Sequence, residues 1–128
     1  MDTKQVGDKL VELCKQGKNL EAVDTLYSPD IVSVEAMAMD PMPAEMKGID
    51  AIRGKNQWWF DNHEIHSASA VGPMTNHDKF AVLFDYDVTS NAPGPMQGQR
   101  MKMQEVGLYT VKDGKIVREE FYYDSSGM

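Results

Sequence analysis

The sequence holds a single cysteine, Cys14, among 128 residues, so no disulfide can form within the chain. A lone thiol matches a reducing compartment, and a cytoplasmic setting is expected. Long apolar runs are missing as well. The longest clean one, Phe80-Ala81-Val82-Leu83-Phe84, is far short of the ~20 residues a membrane helix needs, so no membrane partner is expected. The opening MDTKQVGDKLVEL mixes charges from its second residue and carries no apolar block, which argues against a secretory leader. Positive charge is scarce: 13 Lys and Arg against 20 Asp and Glu leave a net charge of -7. Such a surface repels phosphate, and no nucleic-acid partner is expected. Internal repeats and low-complexity tracts are also lacking.

What remains is ordinary globular usage, with 41% hydrophobic and 26% charged residues. Length predicts one domain over 1–128, large enough to bury roughly two-thirds of its unfolded surface without a structural metal. Val6, Leu10, Leu13 and Cys14 fall on one helical stripe and predict a helix over 3–17, capped by Asp2 or Thr3 and closed by Gly17. A shorter helix is expected near 19–27, ended by Ser28-Pro29-Asp30. Ile31 to Ala36 reads as a short strand, and MAMDPMPAEMK as a methionine-rich loop. Ile49, Ile52, Asn56, Trp59 and Phe60 share a face and predict a third helix from Gly48 to about Asn62. Four strands follow, over 64–73, 79–90, 100–111 and 115–124, with turns at Asn76-His77-Asp78 and Asp113-Gly114. Helices first and an antiparallel sheet after them predict an α+β domain, a curved sheet wrapped around about three helices with a central pocket.

This order of elements resembles the nuclear transport factor 2-like superfamily, and most of all its SnoaL-like and ketosteroid-isomerase-like branch. The residues that carry the resemblance are Leu20-Glu21-Ala22-Val23, Leu26 to Asp30, Val34-Glu35, Lys47 to Ile52, Tyr109 to Ile116 and Phe121 to Asp124. The resemblance implies the fold; for function it spans isomerases, cyclases, hydrolases, dehydratases and binding modules. The isomerase site carries over incompletely. The position of the family's base is Ala36, and that of its oxyanion-hole tyrosine is Leu10 or Val11. The position of its second donor, a protonated carboxyl, is at or beside Glu105. In the cyclase branch the acid/base carboxylate lies on the last strand, near Glu119.

Strand alternation then selects the inward side chains. On the last strand Glu119 shares a face with Phe121 and Tyr123. On the one before it Glu105 shares a face with Met101, Met103 and Tyr109. On the first long strand Glu64, His66, Ala68 and Ala70 share a face. This predicts a cavity holding His66, Glu105 and Glu119 as catalytic candidates. Glu64, Trp59, Val82, Phe84, Tyr86, Met103, Phe121 and Tyr123 are its expected ligand-binding walls. A histidine backed by a carboxylate is a workable acid/base pair near neutral pH, and burial among aromatics raises a glutamate's pKa. Inward glutamates serve equally as hydrogen-bond partners without chemistry, and one residue of slip would exchange Glu119 with Glu120.

His63-Glu64-Ile65-His66 does not predict a metal site, because strand residues three apart point to opposite faces. No metal and no cofactor are expected. The outer sheet face carries Ile65, Val71, Leu83, Val106 and Leu108, which predicts a homodimer packed through the sheets. The resulting expectation is a SnoaL-type pocket protein for a small apolar carbonyl or cyclic compound. Its activity would be cofactor-free acid/base catalysis (isomerase, cyclase, or hydratase/hydrolase). The alternative is a non-catalytic module of the same fold that binds a ligand or another protein.

Overall fold

The computed structural model describes residues 1–39 and 42–124. Among the described residues, three helices pack against a six-stranded, mostly antiparallel sheet; two helices open the chain and the third follows the first two strands. Helix α1 spans Thr3–Lys15. Asp2 caps it by accepting from the Gln5 backbone amide, and the Gln5 side-chain oxygen accepts in turn from the Asp2 backbone amide. Its far end closes as the sequence predicts. Gly17 takes a φ of 73°, and the amides of Gly17 and Lys18 bond back to Cys14 and Leu13. Gly7 lies where α1 meets Pro73; a Cβ there would sit 2.8 Å from the proline ring.

Helix α2, Asn19–Leu26, runs directly into strand β1, Tyr27–Val34. Ser28-Pro29-Asp30 therefore lies within a strand, where a helix stop and a later strand were expected. Pro29 is tolerated because β1 loses register with its neighbour between Tyr27 and Val32, so its missing N–H costs no ladder bond. Three residues of the methionine-rich segment, Glu45–Lys47, form a short edge strand β2 where its composition predicts a loop. Helix α3 spans Ile49–Asn62, and β3 to β6 follow as His63–Asn76, Lys79–Ser90, Arg100–Lys112 and Lys115–Tyr122.

The strand order is β2-β1-β6-β5-β4-β3. β1 is parallel to β6, and the other pairings are antiparallel. On β4 the alternation holds: Phe80, Val82, Phe84 and Val88 are buried beneath the helices. The core continues through Leu10, Leu26, Ile31, Ile52 and Ile116, each 1% exposed or less.

Strand β3 departs from simple alternation. Ile65 pairs with Val88 and Ser67 with Asp87, so His66 is an extra residue, a β-bulge. Parity reverses there. Ile65 faces inward before it, and Ala68 and Ala70 face inward after it. Glu64 and His66 are exposed on the outer face, where the His66 ring bonds Thr89 Oγ1 at 2.7 Å.

Candidate functional site

A cavity of about 400 Å³ lies between the inner sheet face and the helices. Burial of aromatics on β4 and β5 forms its base: Phe80 stacks on Tyr109 at 4.8 Å between centroids. Phe84 stacks on Tyr86 at 6.1 Å, and Tyr86 meets Trp59 of α3 at 6.0 Å. Trp59, Phe84, Tyr86, Met103, Phe121 and Tyr123 all line the space. Val82 does not; it is fully buried in the core. Both Trp58 and Trp59 reach the cavity; His63 stacks on Trp59 at 3.7 Å and meets Trp58 edge-on at 5.9 Å. Met37, Met39 and Met42 of the methionine-rich segment form part of the wall.

Polar groups converge on one side. Glu119, 1% exposed, accepts from the Tyr27 hydroxyl at Oε2 and from Ser33 Oγ at Oε1, 2.8 Å away. Lys55 Nζ lies 3.7 Å from the same Oε1. It donates to Ser33 Oγ at 2.6 Å and to Glu35 Oε1 at 2.9 Å. Since Ser33 receives the lysine proton, its own single hydrogen goes to Glu119. Tyr123 closes the chain by donating to Glu35 Oε2 at 3.2 Å. The lysine ammonium also sits 5.0 Å above the Phe121 ring. Burial pushes the Glu119 carboxyl up from its ordinary value; Lys55, Tyr27 and Ser33 oppose that push.

Glu105 is different. It stands opposite Phe84 on the neighbouring strand and lines the cavity. Among the described residues, no side chain bonds its carboxyl. Burial, reinforced by the nearby Glu35 and Glu119 charges and opposed by Lys55, pushes its pKa up to about 8. Burial likewise pushes the Cys14 thiol, at the cavity wall, up to about 12, so it stays protonated.

Of the three catalytic candidates, the structure brings Glu105 and Glu119 to one cavity and leaves His66 outside it, with Glu64. The bulge at His66 is the reason, and a period-two reading cannot register it. The residues that the reading passed over are Tyr27, Ser33, Glu35 and Lys55. A signal existed for three of them. Ile31, Ser33 and Glu35 alternate on one face of a strand, and Lys55 falls three residues after Ile52 and four before Trp59 on the inward stripe of α3. Tyr27 carried no such mark, having been placed at the end of α2.

The profile of the SnoaL-like domain matches residues 1–123. A comparison with curated proteins found no match. Among solved structures, a Mesorhizobium loti protein named as a SnoaL-like polyketide cyclase is 46% identical, with a TM-score of 0.87 over 96% of this chain and 100% of that one. A Bacillus subtilis protein named as an isomerase is 16% identical, with a TM-score of 0.72 over 95% of this chain and 86% of that one. A Catenulispora acidiphila protein with a ketosteroid-isomerase-like fold, in complex with trimethylamine, is 18% identical, with a TM-score of 0.71 over 97% and 88%. The last two share the fold alone. With the profile covering nearly all of its length and a solved relative sharing close to half of its residues, the chain belongs to the SnoaL-like family of the nuclear transport factor 2-like superfamily.

Proposed function

We propose that the protein is a cofactor-free acid/base catalyst acting on a small carbonyl or cyclic compound, with Glu105 as the group that exchanges the proton. The observation that carries this reading is a carboxyl that opens on an aromatic cavity, has no bonding partner among the described side chains, and has a pKa of about 8. Such a group is populated in both forms near neutral pH, so it can take a proton from carbon and give it back. As carboxylate, Glu105 removes a proton adjacent to the carbonyl, and the electron pair moves onto the carbonyl oxygen. Lys55 is the fixed positive charge that faces that oxygen. Return of the proton to another carbon completes an isomerisation; attack of the enolate on a second carbonyl of the same molecule, with the Glu105 proton passing to the alkoxide that forms, completes a cyclisation. Glu119 touches no substrate in this scheme. It positions Lys55 through Ser33. Trp59, Phe84, Tyr86, Met103, Phe121 and Tyr123 hold the apolar part of the ligand.

The test is exchange of α-deuterium from a panel of small cyclic ketones, followed by NMR. Wild-type protein should accelerate exchange, faster as pH rises through about 8, and Glu105→Gln should lose at least about a hundredfold. Equal exchange by that variant removes the mechanism.

The binding-module reading also has one observation in its favour. Lys55 is already neutralised by Glu35 and Glu119, which weakens its pull on an enolate. Ligand retention without exchange in the same panel would select it. We further propose a homodimer through the outer sheet face, where Val71 and Val106 are 55% and 38% exposed beside Leu83 and Leu108. Ile65 leaves that patch because the bulge turns it inward.

A further inference from the structure

We propose that the preferred ligands of this cavity carry a positive charge, a protonated amine on a small cyclic or carbonyl body, seated between Glu105 and the Phe84-Tyr86-Trp59 wall. The inference rests on the reading of the cavity as the functional site and adds the chemical class of its ligand. It starts from a charge count. The cavity lining collects three carboxyls, Glu35, Glu105 and Glu119, against two ammoniums: Lys15, on the exposed end of α1, and Lys55, among the carboxyls. The Lys55 ammonium is spent on the protein itself: it bonds Ser33 and Glu35, approaches Glu119, and covers the Phe121 ring. Glu119 and Glu35 are spent as well, since each has both oxygens engaged. Glu105 alone of the three has no hydrogen-bond donor and no ion-pair contact among the described residues; Lys55 acts on it only at longer range, and it lines the open space.

The wall next to it suits a cation. Phe84 stands directly across the strand pair from Glu105, and Tyr86 lies one step along the same face. The Tyr86 ring stacks on Phe84 and tilts against Trp59, so three neighbouring rings line the same cavity as Glu105. Ring faces attract ammonium groups most strongly where water is excluded. A neutral ligand would leave the buried acid to hold its proton. A cationic one lets Glu105 ionise and pairs the charge that results, and it thereby creates the carboxylate the proton transfer needs.

This predicts a pH signature. The groups facing Glu105 are Glu35 after β1, Lys55 of α3, Tyr86 of β4, and Glu119 and Tyr123 on and after β6. Burial holds both tyrosines above their ordinary value, so they stay neutral through the working range. The Glu105 carboxyl, at about 8, must release its proton when the cation binds. Affinity for a cation should therefore rise as pH approaches 8 and level off above it. An alkylamine stays protonated there, at roughly the 10.4 of a lysine.

The experiment is calorimetry with three probes sharing one ring: cyclohexylamine, cyclohexanone and cyclohexanecarboxylate. The amine should bind at least about tenfold more tightly than the ketone and carboxylate, and release a proton on binding at pH 7. Glu105→Gln should erase both the preference and the proton release, and Trp59→Leu should weaken the amine selectively. A ketone or carboxylate that binds as well as the amine overturns the charge preference while leaving the exchange mechanism standing. Failure of all three probes to bind overturns the inference too, and the α-deuterium experiment then decides the mechanism separately.

Discussion

Glu119 and Glu105 stand on adjacent strands and face one cavity, yet their surroundings are opposites. Glu119 is enclosed, with a tyrosine, a serine and a lysine around its two oxygens. Glu105 has an open side and no bonding partner among the described residues. Burial raises both, but only at Glu119 do donors push back at short range. A carboxylate whose lone pairs are all used holds other groups in place; one whose lone pairs point into empty space is available to a ligand. The comparison therefore assigns architecture to one glutamate and chemistry to the other.

Several substitutions can break it. The largest effect expected is from Glu119→Ala, which takes the acceptor from the buried Tyr27 and Ser33 hydroxyls and one of two counter-charges from Lys55. Urea unfolding should show a loss of about 3–5 kcal/mol, the range for breaking a buried ion pair from one side. Glu105→Gln should leave the fold intact and change its pH dependence. A carboxyl whose folded pKa lies above its unfolded value of about 4.5 binds more protons when native. Its stabilising contribution is complete below 4.5 and disappears as pH rises through 8. Wild type should therefore lose stability relative to Glu105→Gln across that window, by up to about 4 kcal/mol, readable as melting curves at pH 4.5, 6.5 and 8.5.

Tyr27→Phe is gentler. It removes one donor from Glu119 and should cost about 1–3 kcal/mol, because the lost partner leaves a buried acceptor lone pair. His66→Ala should be the smallest effect, within about 0.5 kcal/mol, since the ring is exposed and bonded only to Thr89 on the outer face. It should also leave α-proton exchange at the wild-type rate. A large loss of exchange in that variant would mean that the two faces of β3 are exchanged in solution.

The contrast between β3 and the pair β5-β6 explains how far the residues could be read without coordinates. On β5, and on and just after β6, alternation places Glu105, Glu119, Phe121 and Tyr123 on the cavity side, and the structure puts all four there. On β3 the same rule fails, because the register against β4 shifts twice, between Ile65 and Ser67 and between Val71 and Met74. The bulge at His66 depends on how fourteen residues of β3 fit against twelve of β4, which is a property of the pair and not of either strand. Pro29 misled in the same way. Its local preference says stop, but an irregular parallel pairing with β6 gives it a place inside β1.

Local chemistry determined the elements: the capping box at Asp2, the Gly17 turn, the helical stripe of α3 and the alternation of Phe80 to Val88 are all consequences of near neighbours in the chain. These suffice for an α+β domain with an apolar interior. The Lys55 cluster is another matter. Tyr27 and Glu119 are 92 positions apart, and Lys55 reaches Ser33 across 22. Whether a buried acid is balanced, and so inert, or left bare, and so reactive, depends on which donors arrive from distant elements. Only packing decides that, because the cost of an unpaired charge is set by the groups that surround it in space.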